Sequence, residues 1–167
     1  IHAQLATPEL IRRMQQLPVV LDIQPVFFLT DMHWMEERLG PVRKKAGYLW
    51  HTYLASDLLL TGGSDAPVES YAPMPAIYSA VTRKDLSGWP DGGMQPEEKL
   101  SVYEALCLFS KNLPHANCGR ASTGTLEAGK FADLAVLDRD IFTIPPEEIL
   151  KVQVERTMLA GKDTWLR

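Results

Sequence analysis

Short apolar runs alternate with helical patterns in the first half of the chain, and each run stops at polar residues. Residues 19–24 form a run rich in β-branched side chains that ends at Pro25, and residues 58–61 lead into Gly62-Gly63-Ser64-Asp65. Apolar runs without strict alternation are typical of parallel strands that are covered on both faces. Helix, strand, helix, strand with short connections therefore predicts βαβ units and an α/β fold.

Helix signals surround these runs. Thr7-Pro8-Glu9 predicts a helix start, followed by an apolar face made of Leu10, Ile11, Met14 and Leu17. Asp31 is predicted to cap a short amphipathic turn, and further helices are expected around residues 46–56 and over residues 74–83. Ser101 and Glu104 have the spacing of a capping box, which predicts another helix start.

The pattern changes from helix to strand near residue 116. Thr125-Leu126 and residues 132–137 predict two strands around a turn at Gly129, and residues 152–159 and 164–166 predict a hairpin. We therefore predict a domain boundary that divides residues 1–117 from residues 118–167.

Composition excludes several classes of protein. The 167 residues carry 17 basic and 21 acidic side chains, a net charge of −4, which argues against a nucleic-acid partner. The sequence contains no run of about 18 apolar residues, so it predicts no membrane span. Cys107 and Cys118 lack a CxxC spacing, so we expect free thiols in a reducing compartment and a cytoplasmic location.

Three polar side chains, His2, Gln24 and Asp65, fall at predicted strand ends. Parallel α/β folds place their chemistry at the carboxyl ends of strands. Asp65 could bind a divalent metal or take a proton from a metal-bound water, or it could be an ordinary turn residue. His2 could bind a metal through a neutral ring nitrogen, or be a core or surface histidine. The residue types leave these alternatives open.

Several segments carry a family resemblance, and they follow one another in the expected order. These are Ile1-His2-Ala3-Gln4, Ile23-Gln24-Pro25, Gly63-Ser64-Asp65-Ala66-Pro67-Val68, residues 124–138 and residues 154–162. They resemble markers of the amidohydrolase superfamily, in the branch called amidohydrolase family 3, which includes enzymes like N-substituted formamide deformylase.

The resemblance implies a fold, a site and a reaction. The fold is a distorted (β/α)8 TIM-like barrel with a small β-sandwich, of which residues 1–117 match the C-terminal part of the barrel (strands six to eight) and residues 118–167 part of the sandwich. His2 matches a metal-ligating histidine, and Asp65 matches an aspartate that binds metal and moves the proton of the hydrolytic water. The family uses one or two divalent ions, often zinc, to hydrolyse amide-like carbon–nitrogen bonds in small molecules.

Other markers of the superfamily have no match in this chain. These are the HxH of strand one, the bridging carboxylate or modified lysine, and the histidine of strand five. We therefore expect a metal-dependent hydrolase whose missing N-terminal part is its partner, while this chain alone neither binds metal tightly nor turns over substrate. The alternative is a truncated, non-catalytic paralogue that serves as a binding or regulatory module, for which exposed sheet edges favour association, including a homo-oligomer.

Overall fold

The computed structural model of the protein describes residues 1–117 and 122–167. The helices and strands in these two ranges are, in chain order, α1 Pro8–Met14, β1 Val20–Ile23, α2 Phe28–Asp31, α3 Met35–Arg43, α4 Trp50–Ala55, β2 Leu59–Gly62, α5 Pro73–Thr82, α6 Val102–Leu108, α7 Leu113–Ala116, β3 Leu134–Leu137, β4 Val154–Leu159 and β5 Lys162–Leu166. Short 3-10 helices cover Pro25–Phe27, Lys44–Ala46, Pro96–Glu98 and Pro146–Lys151.

Strands β1 and β2 form the parallel pair that the apolar runs predict. Val20 is the partner of Leu59 at one end, and Ile23 is the partner of Gly62 at the other. The pair extends one residue further, because the Gly63 amide donates to the Ile23 carbonyl at 2.9 Å. The carboxyl ends of both strands therefore meet at one edge.

Two helix starts are confirmed by their caps. Thr7 accepts a hydrogen bond from the Leu10 amide at 3.3 Å at the start of α1. At α6, the Glu104 amide donates to Ser101 Oγ at 3.2 Å, and the Ser101 amide donates to the Glu104 carboxylate at 2.8 Å, which completes the capping box.

Other predictions are wrong in detail. Leu17 lies beyond α1, which ends at Met14, and is 58% exposed. Within α1, Ile11 is the buried residue, and Leu10 is 42% exposed. Asp31 does not begin a helix; it is the last residue of α2, and its carboxylate accepts hydrogen bonds from distant side chains. The helix expected over residues 46–56 begins only at Trp50.

The second part of the chain contains a three-stranded antiparallel sheet in the order β3-β4-β5. The predicted hairpin is confirmed: β4 and β5 are joined by Ala160 and Gly161, both with positive φ. The strand predicted at Thr125-Leu126 is wrong, since these residues lie outside the strands and Leu126 is 78% exposed.

One apolar core joins residues from both sides of the predicted boundary. Ile23 and Leu60 of the parallel pair and Ala80 of α5 belong to the same buried cluster as Ile149 and Val152. The 3-10 helix Pro146–Lys151 packs against α5. The division at residues 117 and 118 stays a prediction; Cys118 lies outside the described residues, and Cys107 is a buried free thiol.

A buried arginine fixes the segments around α5. Arg83 is fully buried and donates from Nε to the Met94 carbonyl and from Nη1 to the Tyr48 carbonyl, each at 2.9 Å. Its guanidinium lies 4.0 Å from the ring centre of Phe28 and 4.6 Å from that of Trp50. Burial lowers the pKa of Arg83 to about 9, so the group is still a cation at neutral pH.

In the part of the chain that the structure describes, none of the helices combines the length and the apolar character that crossing a membrane requires.

Candidate functional site

Polar side chains of β1 and β2 pair at the carboxyl edge of the parallel pair. Asp22 and Thr61 are register partners, and Thr61 Oγ1 donates to Asp22 Oδ1 at 3.2 Å. Thr61 is only 1% exposed. A carboxylate in this setting requires donors, and the hydroxyl from the neighbouring strand is one of them.

Gln24 follows β1 directly and is the centre of the network. Its side chain is buried, and Nε2 lies 3.4 Å from the Asp22 carbonyl oxygen and 3.3 Å from Asp22 Oδ2. Its other end, Oε1, lies 2.8 Å from His2 Nδ1. The network therefore runs from Thr61 through Asp22 and Gln24 to the His2 ring.

His2 is held by its backbone as well as by its ring. Its amide donates to the Asp22 carbonyl at 2.7 Å, and its ring stacks on Phe27 with 5.9 Å between the ring centres. His2 and Ala3 both have positive φ, 72° and 46°, which is uncommon for two successive residues that are not glycine. Tyr53 donates from its hydroxyl to the Ala3 carbonyl at 2.8 Å, which helps to hold this conformation.

Asp65 lies on the loop after β2 and is exposed. Its φ is 54°, and its carbonyl accepts a hydrogen bond from the Val68 amide at 2.8 Å. The structure joins His2 to Gln24, but it shows neither a hydrogen bond nor an ion pair between His2 and Asp65. Of the three side chains that the sequence places at strand ends, those of His2 and Gln24 are therefore hydrogen-bonded to each other.

Histidine and carboxylate side chains near this edge are donors that a divalent metal accepts, but they are too few to form a complete metal site. A histidine nitrogen and a carboxylate are both ligands that zinc accepts. Within residues 1–117 and 122–167, no three His, Cys, Asp or Glu side chains converge in a way that could hold a metal ion. These residues therefore offer part of a ligand set.

Asp22 and Thr61 are the members of the network that sequence reasoning misses. Asp22 is the one charged residue in the run of residues 19–24, and this is the available signal. Side chains two apart on a strand share a face, so Leu21 and Ile23, which are both buried, lie on one face of β1. Asp22 lies on the opposite face. Its pairing with Thr61 depends on strand register, which the local sequence does not determine.

A second polar cluster lies beside the first. Gln4 donates from Nε2 to the Tyr48 hydroxyl at 2.7 Å and to Asp31 Oδ2 at 3.3 Å, and the Tyr48 hydroxyl donates to the same carboxylate oxygen. Burial raises the pKa of Asp31 and, together with the Asp31 carboxylate, raises that of Tyr48. Two residues after His2, the chain is thus anchored to α2 and to the segment before α4.

Comparison with known proteins settles the family. The model of a family described as the amidohydrolase family matches residues 1–164. The chain belongs to the amidohydrolase family. This confirms the resemblance that the sequence segments suggest.

Two curated proteins are similar to the chain over part of their length. It is 36% identical over 162 residues to the putative amidohydrolase YtcJ of Bacillus subtilis, covering 97% of this chain and 31% of that protein. It is 37% identical over 98 residues to the N-substituted formamide deformylase of Arthrobacter pascens, covering 59% of this chain and 18% of that enzyme. The chain therefore spans less than a third of the length of either relative.

A solved structure shares the fold of this amidohydrolase chain. An uncharacterized metal-dependent hydrolase from Pyrococcus furiosus superposes with a TM-score of 0.72 at 30% sequence identity. The match covers 85% of this chain and 28% of that one. A mixed α/β fold with metal-dependent hydrolases as structural neighbours is therefore shown.

Proposed function

We propose that this chain supplies part of the active site of a metal-dependent hydrolase that cleaves amide-like, non-peptide carbon–nitrogen bonds. The observation that carries the proposal is the anchored His2 ring at the carboxyl edge of a parallel pair, in a chain whose family match covers residues 1–164. The 37% sequence identity to the N-substituted formamide deformylase supports the choice of a carbon–nitrogen bond as the bond that is cleaved. In this proposal β1 and β2 are neighbouring strands of a barrel, and β3–β5 belong to a small sandwich.

The residues of this chain take two roles in the proposed reaction. His2 holds a divalent ion, which we propose to be zinc, through its ring, and Asp65 holds it through its carboxylate; the remaining ligands come from other parts of the complete protein. When bound, such an ion polarises a carbonyl and lowers the pKa of water, so that the water can lose a proton and act as a nucleophile at neutral pH. Zinc accepts both kinds of donor.

Asp65 carries the proton in this scheme. Its carboxylate takes a proton from the attacking water as the carbon–oxygen bond forms, and it gives that proton to the leaving nitrogen as the carbon–nitrogen bond breaks. The products are a carboxylic acid and an amine. Exposure of Asp65 in this chain is consistent with a group that meets solvent and substrate.

The test uses the complete protein, loaded with zinc, and measures amine release from simple N-alkyl formamides. We expect Asp65→Asn to lower kcat by about 100-fold or more, because one general acid–base group contributes that much. Asp91→Asn is the matched control, since Asp91 is an exposed aspartate on the loop of residues 84–93. Removal of the metal by a chelator should abolish turnover, and added zinc should restore it.

Two results contradict the proposal. Undiminished turnover in Asp65→Asn removes the proton-transfer role. A complete protein that binds small amides but releases no amine with any divalent metal supports the alternative, a non-catalytic binding or regulatory module.

A further inference from the structure

The orientation of the Gln24 amide is determined by its surroundings. The amide has a donor end, Nε2, and an acceptor end, Oε1. The end assigned to Nε2 faces two oxygens of Asp22, the backbone carbonyl at 3.4 Å and Oδ2 at 3.3 Å. Since both partners are acceptors, the donor end of the amide must lie there.

This orientation fixes the tautomer of His2. The acceptor Oε1 is the atom that lies 2.8 Å from His2 Nδ1, so Nδ1 must carry the hydrogen of that bond. In a neutral imidazole with Nδ1 protonated, the lone pair lies on Nε2. Nε2 is therefore the ring nitrogen that is left to accept a proton or bind a cation.

Further contacts keep Gln24 and the ring in place. Thr61 occupies Asp22 Oδ1 at 3.2 Å and so leaves Oδ2 to Gln24. The Asp22 carbonyl also accepts from the His2 amide at 2.7 Å, and Phe27 stacks on one face of the ring. Both ends of the Gln24 amide are thus occupied, and the ring is restrained at one edge and one face.

We propose that Gln24 is a positioning residue that holds His2 in the Nδ1–H tautomer and directs Nε2 to a divalent metal. The role of Nε2 as a ligand rests on the proposed function. The tautomer does not, because it is a property of the protein without metal. Partners of this kind, which contact the far nitrogen of a ligating histidine, typically contribute 10- to 100-fold to metal affinity.

The test is nuclear magnetic resonance on the complete, metal-free protein with ¹⁵N-labelled histidine rings. The His2 signals are those lost in His2→Ala, and long-range ¹H–¹⁵N correlations show which ring nitrogen is protonated. We expect Nδ1–H in the wild type and a mixture of tautomers in Gln24→Met, which keeps the length of the side chain and removes the acceptor. Zinc affinity should fall by about 10- to 100-fold in that variant.

Gln95→Met is the matched control, because Gln95 is a partly buried amide that contacts Gly47 and Arg83 instead. It should change neither the tautomer nor zinc affinity. A wild-type spectrum with Nε2–H overturns the proposal without any variant, and so does an unchanged tautomer in Gln24→Met. If the tautomer changes while His2→Ala leaves zinc affinity intact, Gln24 keeps its effect on the ring and the ligand role in the proposed function fails.

Discussion

Asp22 on β1 and Thr61 on β2 are paired across the parallel strands, and the Thr61 hydroxyl donates to Asp22 Oδ1 at 3.2 Å. This bond takes up one carboxylate oxygen and leaves the other for Gln24. The network that holds the His2 ring therefore starts from a contact between two strands. Thr61 bonds to Asp22, Asp22 bonds to Gln24, and Gln24 bonds to the ring.

Thr61→Val should test the contribution of this contact to stability. Valine has nearly the same shape, but it leaves Asp22 Oδ1 without its donor, so we expect the free energy of unfolding to fall by about 1–2 kcal/mol in urea denaturation. Thr157→Val on β4 is the control, because Thr157 is less buried and water can replace its bond to Thr164. Equal losses in the two variants would contradict the expectation.

Gly92 and Gly93 offer a matched pair of substitutions. Both have positive φ, 74° and 86°, but a Cβ at Gly93 would lie 2.3 Å from the Thr82 carbonyl oxygen, while one at Gly92 would meet nothing within 4 Å. Gly92→Ala should therefore cost about 1–2 kcal/mol of unfolding free energy from backbone conformation alone. Gly93→Ala adds a steric clash and should cost about 3 kcal/mol or more. Similar midpoints in thermal denaturation would show that the clash is relieved.

Arg83→Lys should show that the shape and the several donors of the guanidinium are needed. Lysine cannot reach the carbonyls of Tyr48 and Met94 together, and it loses the planar stacking against Phe28 and Trp50. We expect a loss of about 3 kcal/mol in unfolding free energy. Arg38→Lys, at an exposed arginine 5.0 Å from the ring centre of Trp34, should stay within about 0.5 kcal/mol of the wild type.

Asp31→Asn should change the pH dependence of stability. Burial raises the pKa of Asp31 above its ordinary value of 3.8, although the bond from Tyr48 acts against it. The folded state then binds this proton more tightly than the unfolded state, so the stability that Asp31 contributes at low pH is lost as pH rises through its folded pKa. Asparagine cannot ionise and does not lose it. The melting temperature of the variant, relative to the wild type, should be more favourable at about pH 7 than at about pH 3.

Asp163→Asn is expected to behave in the opposite way. The hydrogen bonds from Arg156 lower the pKa of Asp163, so its contribution is present at neutral pH and is lost as pH falls. The melting temperature of this variant should compare worst with the wild type at about pH 7. Parallel pH profiles for the two variants would refute the assignment for Asp31.

The accuracy of the sequence-based predictions follows the range of the interactions. Ser101 and Glu104 lie three residues apart, so their capping box can be read locally, and it is confirmed. The prediction of a cap at Asp31 is wrong because its partners, Tyr48 and Gln4, are 17 and 27 residues away. Likewise, strand ends can be located from apolar runs, whereas the bond between Asp22 and Thr61 spans 39 residues and depends on register.

The core that α5 shares with the 3-10 helix Pro146–Lys151 limits how relatives can be recombined. Ile149 is fully buried and Val152 is 4% exposed, so both side chains must match the surface that receives them. A chimera that takes residues 122–167 from another family member needs the facing surface of α5 from the same parent. The two packed segments should therefore be exchanged together, and a substitution in one restricts which substitutions the other tolerates.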